Sequence, residues 1–280
     1  MKNHPPLSKT FNAPNKPYSS ELIAAIALGN AADVKILLQQ GADIDEGNRY
    51  GDTPLILAAR LGKTKIAQLL IERGAALDIA SDSGNTALIT AITYKRTEIV
   101  RLLIDAGADI HKRNTAGENA LLWAAENGDA EIVRLLIGMG ADINNKANGK
   151  DTALILAAEN NYTEVVRLLL DGDIEIDSQN KLGNTALTGA ARYGHGEIVR
   201  LLISKGADIN IVNNFGETAL DLAAERGPRA VEQILRDTLN SRAAEKAAQE
   251  ETVICNTIAL KQQRLKDQAR AHKPKIRFSP

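Results

Sequence analysis

The chain has few aromatic residues, one cysteine and no long apolar run, and each shortage excludes a class of protein. Phe, Trp and Tyr make up only 3% of the 280 residues, so the core must rely on Leu, Ile, Val and Ala. The single cysteine, Cys255, cannot form an internal disulfide and favours a reducing compartment. No apolar run approaches the roughly 20 residues of a membrane span. The N-terminus also lacks the apolar segment of a signal peptide, so we expect a cytoplasmic protein.

The net charge is nearly balanced, but the charges are unevenly distributed. The formal net charge of −1 predicts no global attraction to nucleic acid or to membranes. Residues 261–277, however, carry seven Lys or Arg and only one acid. Three interpretations remain open for this basic segment: a solvated tail, a site for nucleic acid or anionic lipid, or a contact with the protein's own acidic surface.

A motif of the form Gly-x-Thr-x-Leu recurs every 33 residues. Its copies begin at Gly51, Gly84, Gly117, Gly183 and Gly216, and the copy at 150–154 has Lys150 in place of the glycine. No insertion or deletion interrupts these six copies. A fixed period of this length predicts an array of stacked repeats.

Each column of the repeat has a structural explanation. The Thr column contains good helix N-caps: Ser20, Thr53, Thr86, Asn119, Thr152, Thr185 and Thr218. A short helix rich in alanine follows and ends at a column where a left-handed backbone is expected: Gly29, Gly62, Lys95, Gly128, Asn161, Gly194 and Gly227. Lys95 should cost about 1 kcal/mol there. A second helix, written Glu-Ile-Val-Arg-Leu-Leu-Ile in three copies, precedes a polar turn.

These columns resemble the ankyrin repeat family, in which Gly-x-Thr-Pro-Leu-His opens each unit and Gly-Ala-Asp closes it. The resemblance implies an all-α repeat solenoid of about seven helix-turn-helix units with hairpin or loop fingers. We expect repeats at 18–50, 51–83, 84–116, 117–149, 150–182, 183–215 and 216–240. The family's histidine column is replaced by Ile56, Ile89, Leu122, Ile155, Thr188 and Asp221. We therefore expect apolar packing in place of the histidine's hydrogen bonds.

The fifth repeat departs from the others at its closing turn. Asp173 occupies the usual glycine position, and the glycine stands one residue earlier at Gly172. Two outcomes are open: Asp173 is left-handed, or the helix ends one residue early. Ile174 replaces a small alanine, and Gly189 replaces a larger residue in the next repeat. We interpret this pair as a small-for-large exchange across the repeat boundary.

The two ends of the chain differ in composition from the array at 18–240. Residues 1–17 contain four prolines and predict a flexible arm; the alternative is a strap that lies on the first repeat through Phe11 and Tyr18. A C-terminal helix is predicted over 241–272, followed by a basic disordered tail at 273–280. Its apolar stripe, Ile254, Ile258 and Leu265, has three open roles: capping the last repeat, covering a partner, or pairing with another chain. We favour capping, with Cys255 half-buried, and expect a monomer.

The sequence contains no constellation typical of catalysis. The four histidines are scattered, no glycine-rich phosphate loop is present, and a single cysteine argues against a thiolate metal site. His195 occupies a position where the family pattern also has histidine, which favours a structural role. We therefore expect a protein that is not an enzyme and uses no cofactor or metal.

The columns that vary most between copies lie on the hairpin tips and the exposed edge of the first helix. The resemblance implies that partners bind on this concave face. Tyr and Arg, which are enriched at binding hot spots, are frequent in these columns. The candidate partner-binding residues are Arg49, Tyr50, Arg60, Leu61, Tyr94, Asn127, Lys181, Arg192, Tyr193, Phe215 and Arg226. Trp123 lies one column deeper and is expected to contribute mainly to packing.

The sequence therefore favours a non-catalytic scaffold or adaptor that binds a protein partner. An array with short tails is also similar to secreted bacterial effectors, which implies a host protein as partner and the host cytosol as location. The alternative is a regulator tethered to nucleic acid or anionic membrane through residues 261–277.

Overall fold

The computed structural model describes the backbone of residues 21–271 and the side chains of residues 21–265. Helices come in pairs along this range. The first helices of the pairs are α1 (Glu21–Leu28), α3 (Pro54–Leu61), α5 (Ala87–Thr93), α7 (Ala120–Asn127), α9 (Ala153–Glu159), α11 (Ala186–Tyr193) and α13 (Ala219–Arg226). The second helices are α2 (Ala31–Gln39), α4 (Thr64–Glu72), α6 (Thr97–Asp105), α8 (Ala130–Gly138), α10 (Thr163–Leu170), α12 (Gly196–Ser204) and α14 (Arg229–Ala271). The predicted helical solenoid is confirmed.

The first helices pack more closely against one another than the second helices do. Their alanine pairs explain the difference, since Ala58, Ala59, Ala124 and Ala125 are fully buried and allow neighbouring backbones to approach. The second helices instead bury Ile, Val and Leu on one side, as at Ile132, Val133 and Leu136 in α8. Close packing on one side and wider packing on the other curve the stack, so the first helices and the fingers lie on its concave face.

The predicted N-cap column is confirmed for every member within the described residues; Ser20 lies outside them. In each cap the side-chain oxygen of Thr or Asn accepts a hydrogen bond of 3.1 to 3.3 Å from a backbone N–H one turn later.

The residues that replace the family's histidine fall into two groups. Four members are apolar and at most 1% exposed, as expected: Ile56, Ile89, Leu122 and Ile155.

The expectation of apolar packing is wrong at the other two members. Thr188 accepts a hydrogen bond from the Thr185 backbone N–H at 2.8 Å. Asp221 accepts bonds from the Thr218 N–H at 2.9 Å and from its hydroxyl at 2.6 Å. Both helices therefore begin with a reciprocal capping box.

The left-handed column is confirmed at six positions and wrong at the seventh. Gly29, Gly62, Lys95, Gly128, Asn161 and Gly194 all have φ between 54° and 80°. Gly227 is extended instead, with φ −91° and ψ 165°. Pro228 follows it, and a residue before proline is forced away from helical values toward extended ones.

The fingers are tight turns tied to one another by the backbone. Each finger donates one N–H to a carbonyl of the preceding finger at 2.8 to 3.0 Å. These bonds join Asp82 to Tyr50, Thr115 to Ser83, Asn148 to Ala116, Lys181 to Gly149, and Asn214 to Leu182. The only bridge of β type in the described residues pairs Lys146 with Thr152. The predicted fingers are thus loops joined in a continuous hydrogen-bonded row.

The fifth repeat follows the second of the two outcomes left open by its sequence. Helix α10 ends at Leu170, one residue before the equivalent end of α12, and neither Gly172 nor Asp173 has a positive φ. The prediction that Ile174 fills the space beside Gly189 is wrong. A methyl group at Gly189 would lie 2.7 Å from the Cγ of Glu159, so Glu159 fills that space while Ile174 packs partly buried against the core.

Helix α14 is one continuous element that begins as the second helix of the last repeat. Val231 and Leu235 are buried against the array, whereas residues 240–265 are exposed. The predicted boundary at 240/241 falls inside this helix. Capping therefore ends near residue 239, and the expected cap by Ile254, Ile258 and Leu265 is wrong, as is the half-buried Cys255, which is exposed.

The predicted arm at 1–17 and the basic tail at 273–280 lie outside the described residues. No helix in the described range is long and apolar enough to cross a bilayer.

Candidate functional site

The predicted partner-binding residues lie in two parallel rows along the concave face. One row follows the C-terminal ends of the first helices: Arg60, Leu61, Tyr94, Asn127, Arg192, Tyr193 and Arg226. The other follows the finger tips: Arg49, Tyr50, Lys181 and Phe215. Tyr50, Tyr94, Tyr193 and Phe215 expose 46% to 72% of their surface, which is high for such large side chains. Apolar surface exposed along one face is typical of an interaction site.

Arg60 has a structural partner that the sequence did not indicate. Its guanidinium binds both carboxylate oxygens of Asp52, at 2.6 and 2.7 Å. The Asp52 side chain is only 1% exposed, whereas that of Arg60 is 35% exposed. A buried carboxylate needs such a partner, so Arg60 anchors the finger at 48–52 to α3, and only the outer edge of Arg60 faces the concave side.

Asn127 also has a structural use. Its side-chain amide donates to the Ile92 carbonyl at 3.0 Å, near the C-terminal end of α5. The Ile92 carbonyl also accepts from the Lys95 backbone N–H at 3.0 Å, so the Asn127 amide is a second donor to it. This bond joins α7 to α5 and uses a side-chain donor that a partner could otherwise engage. Arg226 is exposed and, among residues 21–265, forms an ion pair with its neighbour Glu225 alone, at 3.2 Å.

Two Arg-Tyr pairs are held in place by stacking. The Arg49 guanidinium lies 4.7 Å from the centre of the Tyr50 ring, and that of Arg192 lies 5.6 Å from the Tyr193 ring. Tyr193 is also stacked on His195, with ring centres 6.2 Å apart. A ring nitrogen of His195 lies 3.0 Å from the Glu159 carbonyl oxygen, in agreement with its predicted structural role. These contacts restrict the exposed rings before any partner binds.

The middle of the concave face is acidic. Burial raises the pKa of Glu126, and the carboxylates of Glu118 and Asp151 raise it further. Burial also raises the pKa of Glu159; Asp151 adds to the effect, while the Arg192 guanidinium opposes it. Four carboxylates from two adjacent repeats therefore act on one another there. We call Glu118, Glu126, Asp151 and Glu159 the acidic centre.

The sequence-based list of candidate residues omitted the acidic centre. Glu126 and Glu159 occupy the same column, 33 residues apart, and Glu118 and Asp151 share the column after the finger glycine. Acidic residues at matching positions of adjacent repeats were a signal that could have found it. The Tyr and Arg residues that are typical of hot spots lie on the flanks of this region.

Tyr94 and Tyr193 flank the acidic centre along the stack. They stand at the ends of α5 and α11, with α7 and α9 between them. Helices pack roughly 8–10 Å apart, so three steps separate the two rings by about 24–30 Å. Within the described residues, no group of three or more His, Cys, Asp or Glu is placed to hold a metal ion. The arrangement is therefore a long, curved surface with an exposed tyrosine at each end and a negative middle.

This geometry, with paired helices, capped first helices and linked fingers, defines a class of stacked helical repeat protein. A family model described as ankyrin repeats matches residues 22–114, 108–180 and 172–245. These matches extend over most of the array, and the chain belongs to the ankyrin repeat family. No curated protein sequence matches it.

Two solved structures illustrate the likeness. The human ASB11 ankyrin repeat domain is 27% identical, with a TM-score of 0.69, and the match covers 78% of this chain and 97% of that one. The ankyrin repeat domain of Bcl-3, described as a unique member of the IkappaB protein family, is 31% identical with a TM-score of 0.65. Its match covers 80% of this chain and 99% of that one. Ankyrin repeat domains are generally protein–protein interaction modules.

Proposed function

We propose that this protein is a non-catalytic scaffold that binds a protein partner on its concave face. The observation that carries the proposal is the row of exposed aromatic side chains, Tyr50, Tyr94, Tyr193 and Phe215, on one side of a rigid stack. Large aromatic side chains are typical of binding hot spots. Tyr50 and Tyr193 are also held by stacking, so they would lose little conformational entropy when a partner contacts them.

The acidic centre indicates the chemistry of the partner. Glu126 and Glu159 are partly desolvated and repelled by neighbouring carboxylates, so their charged forms are disfavoured in the free protein. A Lys or Arg side chain from a partner would relieve that repulsion. We therefore propose that the partner presents basic residues to the acidic centre and apolar or aromatic surface to the two flanking tyrosines.

Affinity capture followed by mass spectrometry tests the site. Full-length wild type serves as bait beside the double variant Tyr94→Ala/Tyr193→Ala. Both tyrosines are about half exposed, so their removal should leave the array folded. We expect a captured protein that is lost from the double variant.

The matched control is Arg134→Ala/Met139→Ala. Arg134 lies in α8, and Met139 is the residue that caps its C-terminal end. Met139 is 45% exposed, close to the 46% of Tyr94. This control should capture the partner as wild type does. Loss of capture in the control, with the tyrosine variant unaffected, would place the binding surface on the second helices and overturn the proposal.

The pH dependence of binding tests the chemistry of the centre. A basic partner favours the charged forms of Glu126 and Glu159, so binding should release protons and weaken as pH falls from 7 toward their raised pKa values. The double variant Glu126→Gln/Glu159→Gln should bind more weakly at pH 7 and lose most of this pH dependence. An unchanged affinity and pH profile would exclude a basic contact there.

Attachment to nucleic acid or anionic lipid through residues 261–277 stays a prediction, as does secretion as an effector. Replacing Arg270, Lys273, Lys275 and Arg277 by Gln tests the first. If the segment drives binding, association with DNA or acidic vesicles at low salt should disappear in this variant. Capture of the protein partner should be unaffected.

A further inference from the structure

The distal part of α14 carries apolar side chains that the array does not cover. Val253, Ile254, Ile258, Leu260 and Leu265 are each 50% to 65% exposed. The helix contacts α12 and α13 only near its start, and every residue from 240 to 265 is exposed. Several large apolar residues exposed together on one helix are typical of a surface that binds another protein.

Three of these side chains follow a heptad pattern. Ile254, Ile258 and Leu265 are separated by four and seven residues, the spacing that places side chains along one seam of a coiled coil. Continuing the pattern by steps of three and four adds Ala247, Glu251 and Lys261 to the same seam. The seam thus runs as small, acidic, apolar, apolar, basic, apolar, over roughly 27 Å of helix.

Two copies of this seam are complementary to each other when they run in opposite directions. Inverting the seam about Asn256 places Ile254 against the partner's Ile258, Glu251 against the partner's Lys261, and Ala247 against the partner's Leu265. Every layer is then compatible: apolar with apolar, acid with base, and small with large. We propose that a second copy of this chain docks on α14 in antiparallel orientation, giving a homodimer centred on Asn256.

Charge and shape both favour this orientation over a parallel one. A parallel, in-register pair would place Glu251 against the partner's Glu251 and Lys261 against the partner's Lys261, which are like charges. It would also bring both arrays to the same end of two helices only about 8–10 Å apart. The antiparallel pair places the arrays at opposite ends, where each has free space.

Neither charged layer is neutralised within one chain. Among residues 21–265, Glu251 and Lys261 form no ion pair. Glu250 and Arg264 flank the seam on the same side, so in the antiparallel pair Glu250 lies near the partner's Arg264. Cys255 lies on the other flank, close to the two-fold axis and to the partner's Cys255. The dimer departs from the monomer expected from the sequence, for which capping of the array was the favoured role of the stripe.

Sedimentation equilibrium of the full-length protein, over roughly 1 to 200 µM, tests the dimer, since a short interface should be weak. Wild type should pass from monomer to dimer in this range. The variant Ile254→Glu/Ile258→Glu should remain monomeric. Val253→Glu/Leu260→Glu is the matched control, because these residues are equally exposed but lie roughly 120° around the helix. A monomer at every concentration, or equal loss of dimer in both variants, would overturn the proposal.

Charge reversal tests the orientation. Glu251→Lys and Lys261→Glu, made singly, should each weaken the antiparallel dimer at least about tenfold, and the double reversal should restore it. In a parallel dimer, Glu251→Lys would replace a layer of two acids by a layer of two bases, and Lys261→Glu would do the reverse. Like charges would meet before and after each change, so the affinity would stay the same. Mild oxidation should also join Cys255 to the partner's Cys255, giving a disulfide dimer that Cys255→Ser lacks. Unchanged affinity in both single variants would contradict the antiparallel arrangement.

Discussion

Arg60 is the side chain whose removal should affect stability most among the predicted concave residues. Its loss would leave the Asp52 carboxylate, with a side chain 1% exposed, without its cation. Breaking a buried pair costs about 3–5 kcal/mol, and the partial exposure of Arg60 reduces this to roughly 2 kcal/mol. Arg60→Met should therefore lower the free energy of unfolding by about 2 kcal/mol in urea denaturation, whereas the exposed Arg226→Met should change it by less than about 0.5 kcal/mol. Equal effects would contradict the assigned role.

Lys95 adopts a backbone conformation that disfavours its side chain. Its φ of 54° lies in the left-handed region, where the other repeats mostly have glycine. Lys95→Gly should stabilise the array by about 0.5 kcal/mol in thermal or urea unfolding, because relief of the strain exceeds the added entropy of the unfolded chain. The control Arg73→Gly, at a helix end with φ −94°, should destabilise it. If Lys95→Gly instead lowers the free energy of unfolding, contacts around Lys95 already offset its backbone strain.

The acidic centre predicts a pH-dependent stability of definite sign. The folded pKa values of Glu126 and Glu159 are raised, so the folded state holds more protons than the unfolded chain just above the ordinary glutamate pKa. Stability therefore decreases as pH rises through that window. Glu126→Gln/Glu159→Gln should have a higher Tm than wild type at pH 7.5, and the difference should shrink as pH falls toward 4.5. A constant difference across this range would exclude the centre as its cause.

The caps and turns were predictable because their causes lie within a few residues of one another. Thr53 and its equivalents cap the next turn of their own helix, and the positive φ of Lys95 follows from its place in a glycine column. Asp52 and Arg60 were not predictable as a pair, since only the folded finger brings them together. The acidic centre depends on burial and on charges from two adjacent repeats, which no single repeat reveals.

Helix α14 has two parts with different roles. Its beginning holds Val231 and Leu235 within the array at 2% and 1% exposure, and its remainder projects beyond residue 239. A long helix was predictable because residues 229–272 contain no Gly or Pro, but its continuity with the last repeat and its exposed course were not. The array ends near residue 239, so the apolar stripe beyond it covers no surface of residues 21–265.

A truncation separates these roles. Deleting residues 241–280 should change the Tm of the array by less than about 2 °C, because no core side chain is lost. Leu235→Ala should destabilise the array by about 2–3 kcal/mol, since it leaves a cavity in the last repeat. Fluorescence of Trp123, the only tryptophan, reports on the array without a contribution from α14. A large loss of Tm on truncation would show that the distal helix supports the stack.

At the scale of the whole molecule, repeated contacts join neighbouring repeats on both sides of the array. The second helices carry a row of exposed ion pairs between repeats, Arg101 with Glu131, Arg134 with Glu164 at 3.1 Å, and Arg167 with Glu197 at 2.6 Å. Exposed pairs of this kind contribute little each. On the other side, repeated backbone hydrogen bonds join the fingers, while the exposed side chains of the fingers and of the first-helix ends vary between copies. These side chains can therefore differ from one array to another without a change in the core.

Hydrogen exchange of the full-length protein, with and without the captured partner, tests the concave-face account most directly. The account predicts added protection in peptides spanning the fingers and the ends of the first helices, such as 49–61, 115–127 and 181–193. Peptides of the second helices, such as 97–105 and 130–138, should exchange as in the free protein. Protection confined to the second helices or to 240–271, with the fingers unchanged, would contradict it.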